Sequence, residues 1–129
     1  MRFIVAGTLI IVGFTHVLPL TGAFGTERLT ALYGLPIHDP NLVILMRHRA
    51  VLFGLMGLFF ILAAFKASYR TAAFVGGFVS VLSFLFLAWS VGSYNAQLGR
   101  VFTVDLVALV CLVLGCAAHL YQKKEISRR

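Results

Sequence analysis

Long apolar runs broken by short polar interruptions set the pattern of this chain. Residues 3–20, 41–65, 72–94 and 101–121 are each almost continuously hydrophobic. Each run approaches or exceeds the roughly 20 residues that a helix needs to cross a bilayer. The pattern predicts an all-α fold, an integral membrane four-helix bundle occupying residues 1–129 as a single domain, with a polar tail over 122–129. The links after the second and third runs are only about five residues long, which favours antiparallel neighbours. The first run also has some features of a secretory signal, since Thr21-Gly22-Ala23 offers a small-x-small cleavage pattern. It is longer than a usual signal core and contains His16 and Pro19, so it is read as an uncleaved span.

Between the first two runs, residues 21–40 carry their own punctuation. Thr26 followed by Glu27 reads as a helix cap with an acid in the first turn, and Tyr33-Gly34 reads as a stop. Leu29, Leu32 and Tyr33 then share one face of a short external amphipathic helix, expected to lie on the membrane surface. Asp39-Pro40 marks the next start, a cap followed by proline at the first helical position. In the third span, Gly76 and Ser80 form a small-x-x-x-small pair that hints at close packing.

Composition agrees with the pattern. Hydrophobic residues make up 60% of the chain and charged residues 12%, against about 45–50% apolar in ordinary soluble domains. A net charge of +7 raises nucleic acid as a partner, but the cations sit at the ends of the apolar runs, as Arg2, Lys66, Arg70, Lys123, Lys124, Arg128 and Arg129 do. That placement is a topology signal rather than a basic binding face, and nucleic acid is excluded. The positive-inside rule puts both termini in the cytoplasm of a multi-pass inner-membrane protein, with Arg28, Glu27 and Asp39 outside. Cys111 and Cys116 are about 140° apart on a helical wheel, so they are read as packing residues, not a disulfide.

One interruption changes the picture. Arg47, His48 and Arg49 lie inside the second apolar run. A charge within a spanning helix costs roughly 2.5–3.5 kcal/mol on insertion scales and usually faces the bundle interior with a partner. Depth was measured from the cytoplasmic anchors at about 1.5 Å per residue. Arg49 then lies about 25 Å up, Arg47 about 28 Å, Asp105 about 27 Å, His16 about 21 Å and Ser90 about 30 Å. The polar residues of all four spans therefore meet in one layer of the outer leaflet. One arginine is expected to pair with Asp105, the only acid inside a span, while the other lines a pocket or reaches for the headgroups. The layer carries excess positive charge and suits a guest with an anionic or carbonyl head, which arginine grips with a planar fork of donors. Arg47, Arg49, His16 and His48 are the candidate head contacts, Asp105 the orienting acid, and Tyr94 and Asn95 the rim.

The plainer alternative is that these residues only stitch helices together. Catalytic patterns do not compete: the sequence has no His-x-x-x-His or Cys-x-x-Cys spacing for a tight metal site, no Gly-x-Ser-x-Gly elbow and no glycine-rich phosphate loop. Arg47-His48-Arg49-Ala50-Val51-Leu52-Phe53-Gly54, following the external Leu29-x-x-Leu32-Tyr33-Gly34 helix, resembles small four-helix proteins of bacterial inner membranes, the broad DoxX-like group, over nearly the whole chain. Some of those relatives are membrane subunits of quinone-linked oxidoreductases. The resemblance implies a quinone cofactor or a partner-subunit role; the expected partners are membrane lipids and a partner membrane subunit or a second copy of the chain. The leading expectation is a binding protein or small subunit for a lipid or quinone. The rivals are a redox enzyme subunit in which His16 or His48 relays protons, and a structural assembly factor.

Overall fold

A computed structural model describes residues 1–128 and contains helices and turns only. Helix α1 spans Arg2–Val17. It tightens into a 3-10 stretch, Leu18–Phe24, where Pro19 enters. The pyrrolidine ring removes an N–H donor and crowds the preceding turn, which ends α-helical bonding. Helix α2 is Thr26–Tyr33, α3 Pro40–Phe65, α4 Arg70–Val91 and α5 Ala96–Ser127. A single 3-10 turn, Ala67–Tyr69, joins α3 to α4. Four stretches, Arg2–Phe24, Pro40–Phe65, Ala67–Val91 and Ala96–Ser127, are long and apolar enough to cross a membrane. Their outer faces agree, with Phe3, Phe86, Trp89 and Val110 directed away from the bundle. Helices apolar on every side belong in lipid.

Local chemistry sets the ends. Asp39 caps α3 through bonds from the Asn41 and Leu42 amides at 2.8 and 3.1 Å, as the Asp39-Pro40 signal predicts. Gly34, at φ 66°, closes α2 in the left-handed region that glycine tolerates best. Several boundaries differ from the expectation. Thr26 is the first residue of α2, and Gly25 holds the cap position. The fourth helix is expected over 101–121, but Asn95 caps it early, accepting from the Leu98 amide at 2.9 Å, and the polar tail continues it to Ser127. The third was expected to reach 94, but Gly92 at φ 74° stops it, leaving Tyr94 in a link. Arg129, counted among the tail cations, lies outside the described residues.

The bundle is a ring in which α1 packs on α3 and α5, α4 on α5, and α3 more sparsely on α4. Its core is Val5, Leu9, Val12, Phe60, Phe74, Val81 and Leu112 with small alanines between them. The closest crossing is at Gly13 and Gly57, where a Cβ on Gly57 would meet the Gly13 carbonyl oxygen at 2.6 Å. The Gly76–Ser80 pair plays no such part, since a Cβ on Gly76 would find only Phe60, at 3.8 Å. Helix α2 does not present its apolar face to a membrane surface. Leu29, Tyr33 and Ile37 are buried in their own cluster against Val43, Met46 and Leu98, so α2 roofs one end of the bundle. That end, shared with the α4–α5 link, is the connector end; the chain termini and the α3–α4 turn mark the opposite one.

Candidate functional site

The fold leaves a cavity of about 260 Å³ beneath α2, where all five helices contribute walls. Three of the expected residues meet there: His16 from α1, Arg49 from α3 and Asp105 from α5.

His16 is 3% exposed and forms part of the back wall. Its Nδ1 lies 2.9 Å from the Val12 carbonyl oxygen, an acceptor, so in the neutral ring Nδ1–H donates there. Nε2 then accepts from the Ser80 hydroxyl at 3.0 Å, tying α1 to α4. The ring stacks on Phe53 at 5.5 Å and meets Phe60 edge-on at 5.0 Å. Both nitrogens are taken, and neither is free to meet a guest.

Arg49 is held differently. Its guanidinium lies 5.3 Å from the Tyr33 ring centre and 5.0 Å from that of Phe53. Such contacts contribute about 2 kcal/mol or more when desolvated. They anchor the guanidinium while leaving its N–H groups without a protein acceptor among the described residues. Asp105 was expected to pair with an arginine. Asp105 and Arg49 both line the cavity, yet no direct ion pair joins the two among the described residues. The rings hold the guanidinium against α2 and α3, while the carboxylate is carried by α5 on the wall of the same cavity. No buried side-chain nitrogen or oxygen lacks a partner among the described residues, so the free polar atoms of Arg49 and Asp105 face open space.

The other expected residues lie elsewhere. Arg47 points to the opposite face of α3, where Nε donates to the Ala23 carbonyl at 2.8 Å, and with His48 it borders a separate shallow groove. Tyr94 is 43% exposed and stacks on Phe102 at 5.9 Å. Asn95 holds the roof, its Nδ2 donating to the Tyr33 carbonyl at 2.7 Å. Arg100, Gln97 and Tyr33 also line the cavity, although depth along the spans does not single them out. A signal was available, because Gln97, Val101, Val104 and Asp105 follow i, i+4, i+7, i+8 spacing and so share one helical face. Starting the fourth span at residue 101 cut that stripe in two.

The cavity therefore offers two guanidinium groups, one carboxylate and an amide, with Thr15 and His16 among walls that are mainly Leu, Val, Phe, Tyr, Pro and Ala. No protein-family model, curated protein or solved structure matches the chain.

Proposed function

We propose that this chain is a membrane-embedded binding protein, acting alone or as a small subunit of a larger assembly, that holds the head of an amphiphile carrying an anionic or carbonyl group, such as a lipid or a quinone. One observation carries the reading: Arg49 is held by two aromatic rings with its donors free, in the wall of a mainly apolar cavity that Asp105 also lines. An arginine that served only packing would have its N–H groups bonded to protein, as Arg70 does at the opposite end of the bundle, where it donates to the Ala63 and Ala64 carbonyls. The bonding of both His16 nitrogens favours a binding role over a proton relay there. Its membrane is a bacterial inner membrane with both termini in the cytoplasm, the orientation favoured by the basic residues near the termini and the α3–α4 turn.

The test is native mass spectrometry of the protein extracted gently from its own membrane, with released small molecules identified. A stoichiometric amphiphile is expected in the wild type. In Arg49→Leu its occupancy falls at least about tenfold, the usual loss when a hydrogen bond to a charged group is removed. Because Arg49 donates no hydrogen bond to another side chain or carbonyl among the described residues, the variant is expected to keep its helical circular dichroism. An empty wild-type protein, or full occupancy in folded Arg49→Leu, refutes the reading.

A further inference from the structure

The site described above has a direction of access and a preference of charge. We propose that its guest is an anionic lipid that enters sideways from the bilayer, through a mouth between the end of α1 and the first turns of α5, with Arg100 at the rim selecting the charge. The inference rests on the binding reading and adds to it the ligand class and the route.

Size comes first. An engineered cavity of about 150 Å³ takes a benzene, and drug-sized ligands occupy about 300–1,000 Å³. At about 260 Å³ this cavity holds a headgroup and no acyl chain. A tailed guest must therefore leave its tail outside, which requires an opening onto lipid.

The exposure of the lining residues locates that opening. The liners on α3 and α4, Arg49, Phe53 and Phe84, are half-buried, and His16 on α1 and Tyr33 on α2 are buried. The exposed liners gather on one side, with Leu18 at the end of α1, Ala31 on α2, and Arg100 and Val104 one turn apart on α5. Leu18 is 63% exposed and Val104 41%. Lower down the same seam closes, where Thr8 donates to the Cys111 carbonyl at 3.3 Å. Above, the roof is latched by the bond from Asn95 to Tyr33. The opening is thus a lateral gap with two aliphatic jambs. Val104 lies eight residues into α5, about 12 Å below its start, and Arg100 about 6 Å below it. At that height Arg100 meets headgroups while Leu18 and Val104 meet chains, so head and tail of one lipid are both served.

Charge decides the class. Arg49 and Arg100 face a single carboxylate, Asp105, so the cavity carries a formal excess of one positive charge in surroundings of low dielectric. A phosphate monoanion completes the balance, and a neutral carbonyl does not. Arginine forks also match phosphate oxygens in pairs.

The experiment uses the full chain with Trp89→Phe, which removes its one tryptophan. A reporter tryptophan is placed in the cavity by Phe53→Trp or, independently, by Phe84→Trp, so that one failed fold leaves the other. Each protein is reconstituted into phosphatidylcholine vesicles containing phosphatidylglycerol brominated near the ester, and into matched vesicles with the bromine on phosphatidylcholine. Bromine quenches tryptophan on contact. Stronger quenching by phosphatidylglycerol is expected. The pair Leu18→Phe and Val104→Phe reduces it to the phosphatidylcholine level, and Arg100→Gln raises the phosphatidylglycerol fraction needed for half-quenching roughly tenfold. Phosphatidylglycerol-specific quenching that survives both changes refutes the mouth and the role of Arg100 while leaving a binding cavity. Equal quenching by the two lipids refutes the anionic lipid as guest. If native mass spectrometry also finds the wild-type cavity empty, the binding reading falls with it.

Discussion

His16 shows how much of this site a single residue fixes. Its ring is clamped between Phe53 and Phe60 while its two nitrogens join the Val12 carbonyl and the Ser80 hydroxyl, so α1 and α4 share a polar contact although they do not pack side by side. Interhelical hydrogen bonds in membranes contribute about 0.6 kcal/mol on average and up to about 1.7. Ser80→Ala is expected to cost the upper part of that range, because it strands Nε2 inside the bundle. Ser90→Ala is expected to cost nothing measurable, since Ser90 bonds only to Leu87 of its own helix at 2.9 Å. Unfolding of both variants by heat or detergent titration checks the contrast, and equal losses would sink the role assigned to His16. Depth counting along the sequence found His16, Arg49 and Asp105 because rise per residue is nearly invariant in a helix. It was unable to separate Arg49 from Arg47. Their separation of about 200° says that they face apart, not which one faces inward. That is decided by Tyr33 and Phe53, and Tyr33 belongs to a different helix. Arg70, read as an interfacial topology signal, is 6% exposed and caps the carbonyls of Ala63 and Ala64. Its closeness in sequence to the end of α3 was visible, but the fold of the tight turn that returns it there was not.

Among the elements, α3 carries the most, with one face given to helix packing and another to the site. Ala50, Gly54, Gly57 and Ala64 are buried on it, and small residues let backbones approach where no hydrophobic drive separates helix from lipid. The Gly13–Gly57 crossing admits no side chain, because a methyl on Gly57 would meet the Gly13 oxygen at 2.6 Å and the Val17 nitrogen at 2.9 Å. Backbone cannot move aside as a flexible side chain does. Gly57→Ala is therefore expected to destabilise the bundle by about 1–3 kcal/mol, the range for overpacking. Gly76→Ala has room, with only Phe60 nearby at 3.8 Å, and is expected to be neutral or to stabilise by up to about 1 kcal/mol through helix propensity. Reversible unfolding in mixed micelles measures both, and a stable Gly57→Ala would show that the crossing is looser than described. Period and length revealed the four long helices, and cap chemistry revealed the start of α3. Which small residue makes the close contact was not legible, since glycines are common in spanning helices and only the partner backbone distinguishes Gly57 from Gly76.

For the molecule as a whole, the connector end and its opposite are chemically unlike. Around the termini and the α3–α4 turn lie Arg2, Lys66, Arg70, Lys123, Lys124 and Arg128 with Glu125; at the connector end lie Arg28 and Arg100 with Glu27 and Asp39. The charge bias counts residues near span ends during insertion, so Arg70 contributes to it even though it later folds onto the α3 carbonyls. In the orientation proposed above, the cavity lies in the outer leaflet and the tail in the cytoplasm. Replacing Cys111 and Cys116, both free, by alanine gives a background for thiol labelling. Single cysteines then go in at Ser68, in the α3–α4 turn, and at Pro36, in the link before α3, both exposed. In intact cells a membrane-impermeant maleimide is expected to label Pro36→Cys and to reach Ser68→Cys only after the membrane is opened. The reverse pattern would put the cavity in the cytoplasmic leaflet, and the guest would then have to be drawn from the lipids of that leaflet. The orientation therefore bears on which lipids are available to the site, even though every distance within it stays the same.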